Sequence, residues 1–432
     1  MYYGIILNTG ELPSLKEKLQ QNLWLALSDV DVLLRPSEAN LQAILLVLSQ
    51  VSEIAGPSIC WMLATSACRM LQALGLDVRL LDQQTRERRV MQFWHLNLLD
   101  KGLAIIFAKA PTFHQEEARE IKLPTLEQIQ PPRAHLVANG TSGFFGAHYV
   151  YQKFLLSRLM ADIWHGISGK AAPNCDGTEA TLNNLVSWYD QARKILGAAA
   201  LSEKPFCDAQ NAKSINVALH TIEFHFTHLK ILLTRSAACM EDTCLDASIR
   251  MLHLLQDMAP ESNEPYHPIL WQLVCCPFTP LLIIFCDIAS NNTTASRTLD
   301  QKKSALAAME QLPIFLQGIS RRSSLATKLE RIASSFVQHA RSVISRLDAA
   351  VIPEAETTTV SLPAGDPPSN AGEYNSSGVL DSDLLDWSSF HASAAASASP
   401  VSTTHLENDF AIFTRNIDSD GMFDWLNWEA SC

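Results

Sequence analysis

The chain has 432 residues, of which 47% are hydrophobic, and a formal net charge of −12 at pH 7. That charge lies in one place, because residues 351–432 contain thirteen acidic residues and one basic residue, Arg415, whereas residues 1–350 are neutral. A neutral body with an acidic tail argues against nucleic-acid binding by bulk charge, since phosphate contacts need clusters of Lys and Arg. The first residues show no basic region followed by a long apolar run, so no secretory signal is predicted.

Helical periodicity dominates residues 1–350. Near the start, Leu41, Ile44, Leu45 and Leu48 recur at spacings of three and four residues. A second apolar stripe near the end of this region continues for more than six helical turns. Its residues are Leu325, Leu329, Ile332, Phe336, Val343 and Leu347.

Strand signals are scarce, because no sustained period-two alternation and no Asn-Gly hairpin flanked by strands occurs. Turn-forming residues predict loops at Val137–Phe145, Ala172–Ala180 and Ala289–Arg297 and at Pro131 and Pro132. We therefore predict an all-α body of about ten to fourteen helices, with no regular repeat.

The apolar segment Ile269–Cys286 contains no charged residue in 18 positions. A spanning helix needs about 20 apolar residues, and Pro277 and Pro280 would break this one near its middle. We therefore predict a pair of core helices here and no membrane span.

The second stripe is flanked by basic residues, and a basic amphipathic helix can bind a membrane or an acidic partner. The simpler interpretation is a core helix with solvated arginines, which is favoured because Glu330 and Asp348 dilute the charge. The flanking residues are Arg321, Arg322, Lys328, Arg331, Arg341 and Arg346.

The best metal candidate is the segment HTIEFHFTHLK, which contains His220, Glu223, His225 and His228. Zinc sites on helices usually use two His four residues apart, whereas these lie five and three apart and point in different directions. We therefore predict ordinary core or surface histidines and no metal site.

The segments that come nearest to known enzyme motifs do not have the residue spacing that those motifs require. GTSGFFG is not a nucleophile elbow, and GISGKAA lacks the spacing and the Ser or Thr of a phosphate loop. No Cys-x-x-Cys occurs, and most of the ten cysteines lie in apolar segments, which is typical of free thiols in a reducing compartment. We predict no catalytic residue and no cofactor-binding residue, and we do not expect an enzyme.

Residues 351–432 are rich in Pro, Ser, Thr, Ala and Gly, which predicts a disordered tail. Apolar islands at Leu380–Phe390, Phe410–Phe413 and Phe423–Trp428 lie among acidic residues, a pattern typical of transcriptional activation segments. Packing of this tail onto the body is the alternative. The predicted anchors for a partner's apolar groove are Leu380, Leu384, Leu385, Trp387, Phe390, Phe423, Trp425, Leu426 and Trp428.

The body resembles the fungal-specific transcription factor domain, the helical middle homology region of fungal zinc-cluster regulators. The resemblance covers most of residues 1–350, and several modest motifs occur in the family's order. They are Leu41-Gln42-Ala43, Gly75-Leu76, Arg88-Arg89, Phe93-Trp94 and Leu99-Asp100-Lys101, with later likeness in CCPFTPLLIIFCDIASN and Ser320–Phe336. The family's Gly-Arg-Pro turn is replaced by Lys109-Ala110-Pro111 after Ala108.

The resemblance implies a nuclear transcription regulator of RNA polymerase II genes, with a helical regulatory domain at 1–350 and an activation tail at 351–432. It implies coactivators as partners of the tail, a homo- or heterodimer, no membrane contact, and in many members a place in secondary metabolism. The six-cysteine zinc cluster that usually reads DNA is absent, because no cysteines here have its spacing. Zinc is therefore expected only if such a cluster lies upstream.

Two alternatives remain at this point. One is a co-regulator that does not bind DNA and acts through a DNA-bound partner. The other is an α-helical enzyme or small-molecule-binding protein that shares the fold, which would need a pocket with convergent polar groups.

Overall fold

The structure is a computed structural model that describes residues 28–54, 57–76, 81–107, 109–129, 144–168, 175–207, 209–258, 276–289, 297–320 and 324–351, with a few isolated positions. These ranges contain helices and no strand, which confirms the predicted all-α class for the described part of the chain. Its helices are α1 (Val30–Leu34), α2 (Glu38–Ile54), α3 (Pro57–Leu74), α4 (Gln83–Phe107), α5 (Gln115–Glu120), α6 (Leu126–Ile129), α7 (Phe144–Ser168), α8 (Cys175–Glu203), α9 (Ala209–Thr234), α10 (Glu241–Asp257), α11 (Phe278–Ala289), α12 (Leu299–Met309), α13 (Gln311–Ile319) and α14 (Ser324–Val351).

The first hydrophobic cluster joins α2, α3 and α4. Leu41, Ile44 and Leu48 of the predicted stripe are buried in it, and Leu45 is half-buried. Aromatic side chains close the cluster, including Phe154, which α7 contributes. The spacing of three and four residues therefore identified the buried face of α2 correctly.

The second cluster lies where α7, α8 and α9 pack together, and Ile105 joins it from the end of α4. α4 is 25 residues long and thus takes part in the first two clusters. α8 buries its side chains from Leu185 onward, at intervals of three to four residues.

The third cluster contains residues of α9 to α14. Phe278, Leu281, Ile284 and Phe285 of α11 are buried in it. α11 begins directly after Pro277, and Pro280 lies in its first turn, where a missing backbone N–H is tolerated. The described part of the apolar segment is therefore core, as predicted.

α14 is the 28-residue helix predicted by the second stripe. Of the stripe residues, Leu329 is 2% exposed, while the other five are half-buried. The centre of the interface is instead a line of small residues, with Ala326, Ala333 and Ala340 each 0% exposed. Alanines at these positions let the helix backbone approach its neighbours closely, which hydrophobic periodicity alone did not reveal.

Three loop predictions need correction in part. Residues Cys175–Ala180, predicted as loop, form the first turns of α8, and Phe144 and Phe145 begin α7. Gly177 lies in this helical segment, and the Thr181 hydroxyl donates a hydrogen bond of 3.0 Å to its carbonyl oxygen. The turn-forming residues of this segment do not interrupt the helix, because α8 continues beyond them. Ala289, also assigned to a loop, is the last residue of α11.

The expectation of free thiols is wrong for one pair. Cys175, at the start of α8, and Cys239, in the 3₁₀ turn Ala238–Met240 between α9 and α10, are joined by a disulfide with a Cα–Cα distance of 6.9 Å. Cys60, Cys68, Cys207, Cys244, Cys276 and Cys286 are unbridged.

Candidate functional site

The predicted anchors of the activation tail lie outside the described residues. They are Leu380, Leu384, Leu385, Trp387, Phe390, Phe423, Trp425, Leu426 and Trp428. The described body therefore bears on the regulatory part of the predicted function.

The motif residues Arg88 and Arg89 form one junction of three helices. The Arg89 guanidinium donates to Glu38 Oε1 at 2.7 Å, at the start of α2, and to the carbonyl oxygens of Leu74 and Gly75, both at 2.9 Å. Gly75 has a φ of +90°, a left-handed conformation that ends α3 and turns these carbonyls toward Arg89. One buried side chain thus fastens α2, the end of α3 and α4 together.

Glu38 is the acidic partner at this junction, and sequence reasoning missed it. Arg88 donates to its second carboxylate oxygen at 3.0 Å. The hydrogen bond from Arg89 is the main cause that lowers the pKa of Glu38, which burial opposes and Arg88 reinforces. Its place at the first position of α2 is also the favourable end of the helix dipole for an acid.

Asp100 and Lys101 hold the residues that directly follow Lys109-Ala110-Pro111. The buried Asp100 carboxylate accepts the N–H groups of Thr112 at 2.8 Å and Phe113 at 3.0 Å. Lys101, 1% exposed, lies 3.2 Å from Asp100 and also donates to the Phe113 carbonyl oxygen. The motif therefore fixes the chain that follows α4 by charge-assisted hydrogen bonds.

The motif residue Trp94 is enclosed by the chain on several sides. Its indole N–H donates to the Lys122 carbonyl oxygen at 3.0 Å, and the Arg158 guanidinium lies 5.0 Å from its ring centroid. Arg158 also donates to the Ala118 carbonyl oxygen. These contacts join α4, α7 and the connection between α5 and α6, so Trp94 has a structural role.

The four candidate metal ligands lie along α9 and do not converge. Glu223 pairs with Arg250 of α10 at 2.6 Å. Burial lowers the pKa of His225 well below its usual value, with smaller contributions from Lys153 and His228, and lowers the pKa of His228 to about 4, helped by Arg235. Within the described ranges, no group of three or more His, Cys, Asp or Glu side chains is placed to hold a metal ion.

Three cysteine thiols are deeply buried and poorly suited to act as nucleophiles. Burial raises the pKa of Cys60 to about 11 and also raises that of Cys68 and Cys244. These thiols stay protonated near neutral pH, and the thiolate is the reactive form.

The basic residues around the stripe of α14 are partly engaged in ion pairs. Arg341 pairs with Glu310, which lies between α12 and α13, and Asp348 pairs with Lys303 of α12 at 2.8 Å. Arg331 and Arg346 are exposed. Over the part of the chain that the structure describes, no helix has both the length and the hydrophobicity needed to cross a bilayer.

A groove between α10 and α13 has a volume of about 100 Å³ and a mainly apolar lining. Ile314, at its edge, is 62% exposed, and Gln256 and Gln311 are hydrogen-bonded to each other across it. Pockets for small molecules usually measure about 300–1,000 Å³. This groove holds roughly one apolar side chain and is too small for an ordinary metabolite.

Two fungal relatives align with most of this chain. A protein of Claviceps purpurea named a transcriptional regulator is 36% identical over 368 residues, which are 84% of this chain and 57% of the relative. A protein of Schizosaccharomyces pombe named an uncharacterized transcriptional regulatory protein is 24% identical over 360 residues, which are 78% of this chain and 54% of the relative. The chain thus spans little more than half the length of these curated relatives.

No protein-family model matches the chain. No solved structure matches it either. The comparisons therefore support the coarser part of the resemblance, similarity to fungal proteins named as transcriptional regulators.

Proposed function

We propose that this protein is a nuclear transcription regulator that activates RNA polymerase II genes. The observation that carries the proposal is the alignment of 84% of the chain with a fungal protein named a transcriptional regulator. The motifs of the fungal-specific transcription factor domain support it, and so does the acidic tail. In this proposal residues 1–350 regulate, residues 351–432 activate, and neither part is an enzyme.

The tail would act through its apolar islands. Repulsion among the thirteen acidic residues of the tail would keep its leucines and tryptophans available to a coactivator. Leu380, Leu384, Trp387 and Phe390 would share one face if the segment became helical on a partner. Trp425 and Trp428 would anchor the second island.

The test is a reporter assay with residues 351–432 fused to an unrelated DNA-binding domain. We expect strong output, and we expect the double variant Trp387→Ala with Trp425→Ala to lose most of it. Tyr374→Ala, outside the apolar islands, is the matched control and should keep the output. No output from the wild-type tail would contradict activation, whereas full output from the double variant would contradict the anchors alone.

The route to DNA is the second part of the proposal. Because the chain spans 57% and 54% of the two relatives, a zinc cluster in a longer form of the protein can supply base reading. The alternative is a DNA-bound partner that recruits this chain as a co-regulator. Sequencing the 5′ end of the native transcript decides between them, because a six-cysteine frame upstream of Met1 supports the first and its absence supports the second.

A further inference from the structure

The disulfide between Cys175 and Cys239 is exposed, unlike the deeply buried cysteine thiols, and the unbridged Cys286 is exposed as well. Both residues lie at the surface, whereas Cys60, Cys68 and Cys244 are 5% exposed or less. A solvent-exposed bridge can be attacked by a reductant without prior unfolding, and exposed thiols can be reached by an oxidant. The bridge is therefore chemically accessible in both directions.

The residues next to the two ends of the disulfide differ in how closely they pack against the hydrophobic core. Cys175 begins α8, and the first residue of that helix that is buried is Leu185. Between them, Asp176, Gly177 and Glu179 are exposed. The first two to three turns of α8 therefore have little apolar contact to hold them once the bridge is open.

The other end, Cys239, lies in a turn that is also held by contacts other than the disulfide. Cys239 lies in a short 3₁₀ turn between α9 and α10, and beside it Ala237 is 3% exposed and Thr234 is 1% exposed. The Ala237 N–H donates to the Thr234 carbonyl oxygen at 3.1 Å, and Met240 N–H donates to the Ala237 carbonyl oxygen at 2.8 Å. These hydrogen bonds do not involve the disulfide.

We propose that Cys175 and Cys239 form a reversible redox modification site that controls the order of the first turns of α8. Oxidation by a peroxide proceeds in two steps. One thiolate attacks a peroxide oxygen and gives a sulfenic acid with release of water or an alcohol, and the second thiol then displaces a second water to form the S–S bond. Two thiols lose two electrons in total, and the peroxide O–O bond accepts them.

Reduction restores both thiols by exchange with a dithiol. The dithiol attacks one sulfur, releases the other cysteine, and closes its own disulfide with transfer of two protons and two electrons. Because the bridge closes a segment with a sequence separation of 64 residues, its opening also lowers thermal stability. This inference depends on exposure and placement and is independent of the proposed role in transcription.

The test uses the full chain treated with hydrogen peroxide and then with dithiothreitol. We expect peptide mapping to find the Cys175–Cys239 crosslink after peroxide and both free thiols after dithiothreitol. Hydrogen exchange of residues 176–184 should rise toward that of a frayed terminus on reduction, while that of residues 237–241 stays unchanged. The melting temperature should fall by roughly 5–10 °C on reduction.

Cysteine variants test whether the redox response belongs to this disulfide. Cys175→Ser and Cys239→Ser should each show fast exchange at 176–184 in either redox condition, and Cys207→Ser, which removes an unbridged thiol, should respond like the wild type. The proposal is overturned if peroxide yields no crosslink between these two residues. It is equally overturned if residues 176–184 exchange at the same rate in the oxidised and reduced wild type.

Discussion

Arg89 of α4 and Glu38 of α2 are joined by a 2.7 Å ion pair in which the arginine side chain is only 7% exposed. Because Arg89 also donates to the carbonyl oxygens of Leu74 and Gly75, its removal leaves three acceptors without their donor.

Replacing Arg89 by Met keeps the aliphatic stem and removes the three hydrogen bonds. We expect Arg89→Met to lower the free energy of unfolding by about 3 kcal/mol in urea titrations, since buried acceptors lose their partner. Arg88→Met is the control: its side chain is 42% exposed, and its pair with the same Glu38 contributes at most about 1 kcal/mol. Equal losses from the two variants would contradict the junction role.

Asp100 gives a second test, because it is buried with Lys101 and accepts two backbone N–H groups. We expect Asp100→Ala to lower the free energy of unfolding by about 3–5 kcal/mol, since it leaves a buried ammonium without its counter-charge. Combining it with Lys101→Met should restore part of that loss, with a coupling of about 1–3 kcal/mol in a double-mutant cycle. Strict additivity of the two changes would contradict a coupled pair.

His225 and His228 should make stability depend on pH. Well above about pH 6.5 both histidines are neutral in the folded and unfolded states. Below it the unfolded chain binds protons that the folded chain does not bind, because burial lowers the pKa of His228 to about 4 and lowers that of His225 well below its usual value. The free energy of unfolding therefore decreases as the pH falls from 6.5 toward 4.

Denaturant titrations at pH 7 and pH 5 check this slope. The double variant His225→Gln with His228→Gln should lose less stability between the two pH values than the wild type does. The exposed His165→Gln is the control and should leave the slope unchanged. Glu38 does not interfere, because its pKa lies below 4.5 and its contribution is lost only at more acid pH.

The alanine line of α14 predicts a steric effect. Ala333→Leu and Ala340→Leu add volume at positions that are 0% exposed, and we expect each to lower the free energy of unfolding by about 1–3 kcal/mol. The exposed Ala349→Leu, on the same helix, should change it by no more than about 0.5 kcal/mol. Tolerance of leucine at both buried positions in thermal melts would show that the helix does not pack this closely.

Gln92 offers a stabilising change. It is 6% exposed, and neither its side-chain oxygen nor its nitrogen has a hydrogen-bond partner within the described residues. Gln92→Met should raise the free energy of unfolding by about 1 kcal/mol, because it removes two buried unsatisfied groups at similar volume. Gln84→Met, at an exposed position of the same helix, should have no such effect. A loss of stability in Gln92→Met would point to an ordered water on this amide.

Periodicity predicted the helical class and the buried face of α2, because apolar spacing reports directly on which side of a helix leaves water. The core position of α11 was predicted from its uncharged, apolar composition. It could not locate the alanine line of α14, since alanine is common on both buried and exposed faces. The hydrogen-bond partners of Arg89 and Asp100 could not be predicted either. They depend on backbone carbonyl and N–H groups, which every residue has and no sequence pattern distinguishes.

The start of α8 and the bridge at Cys175 were mispredicted for a related reason. Asp176, Gly177 and Thr178 are turn formers in isolation, and their helical state depends on continuation of a long helix and on a cysteine 64 positions away. Which distant residues come into contact is a property of the folded chain, and a single sequence does not reveal it.

Phe154 of α7 completes the first cluster, with its ring 6.1 Å from that of Trp94. During synthesis α2, α3 and α4 leave the ribosome before Phe154 and Arg158 are made. At about 5–20 residues per second, the interval between Trp94 and Phe154 is roughly 3–12 s. During that interval the aromatic residues of the first cluster are exposed on the nascent helices. We therefore expect the nascent chain to bind a chaperone that recognises exposed apolar surface.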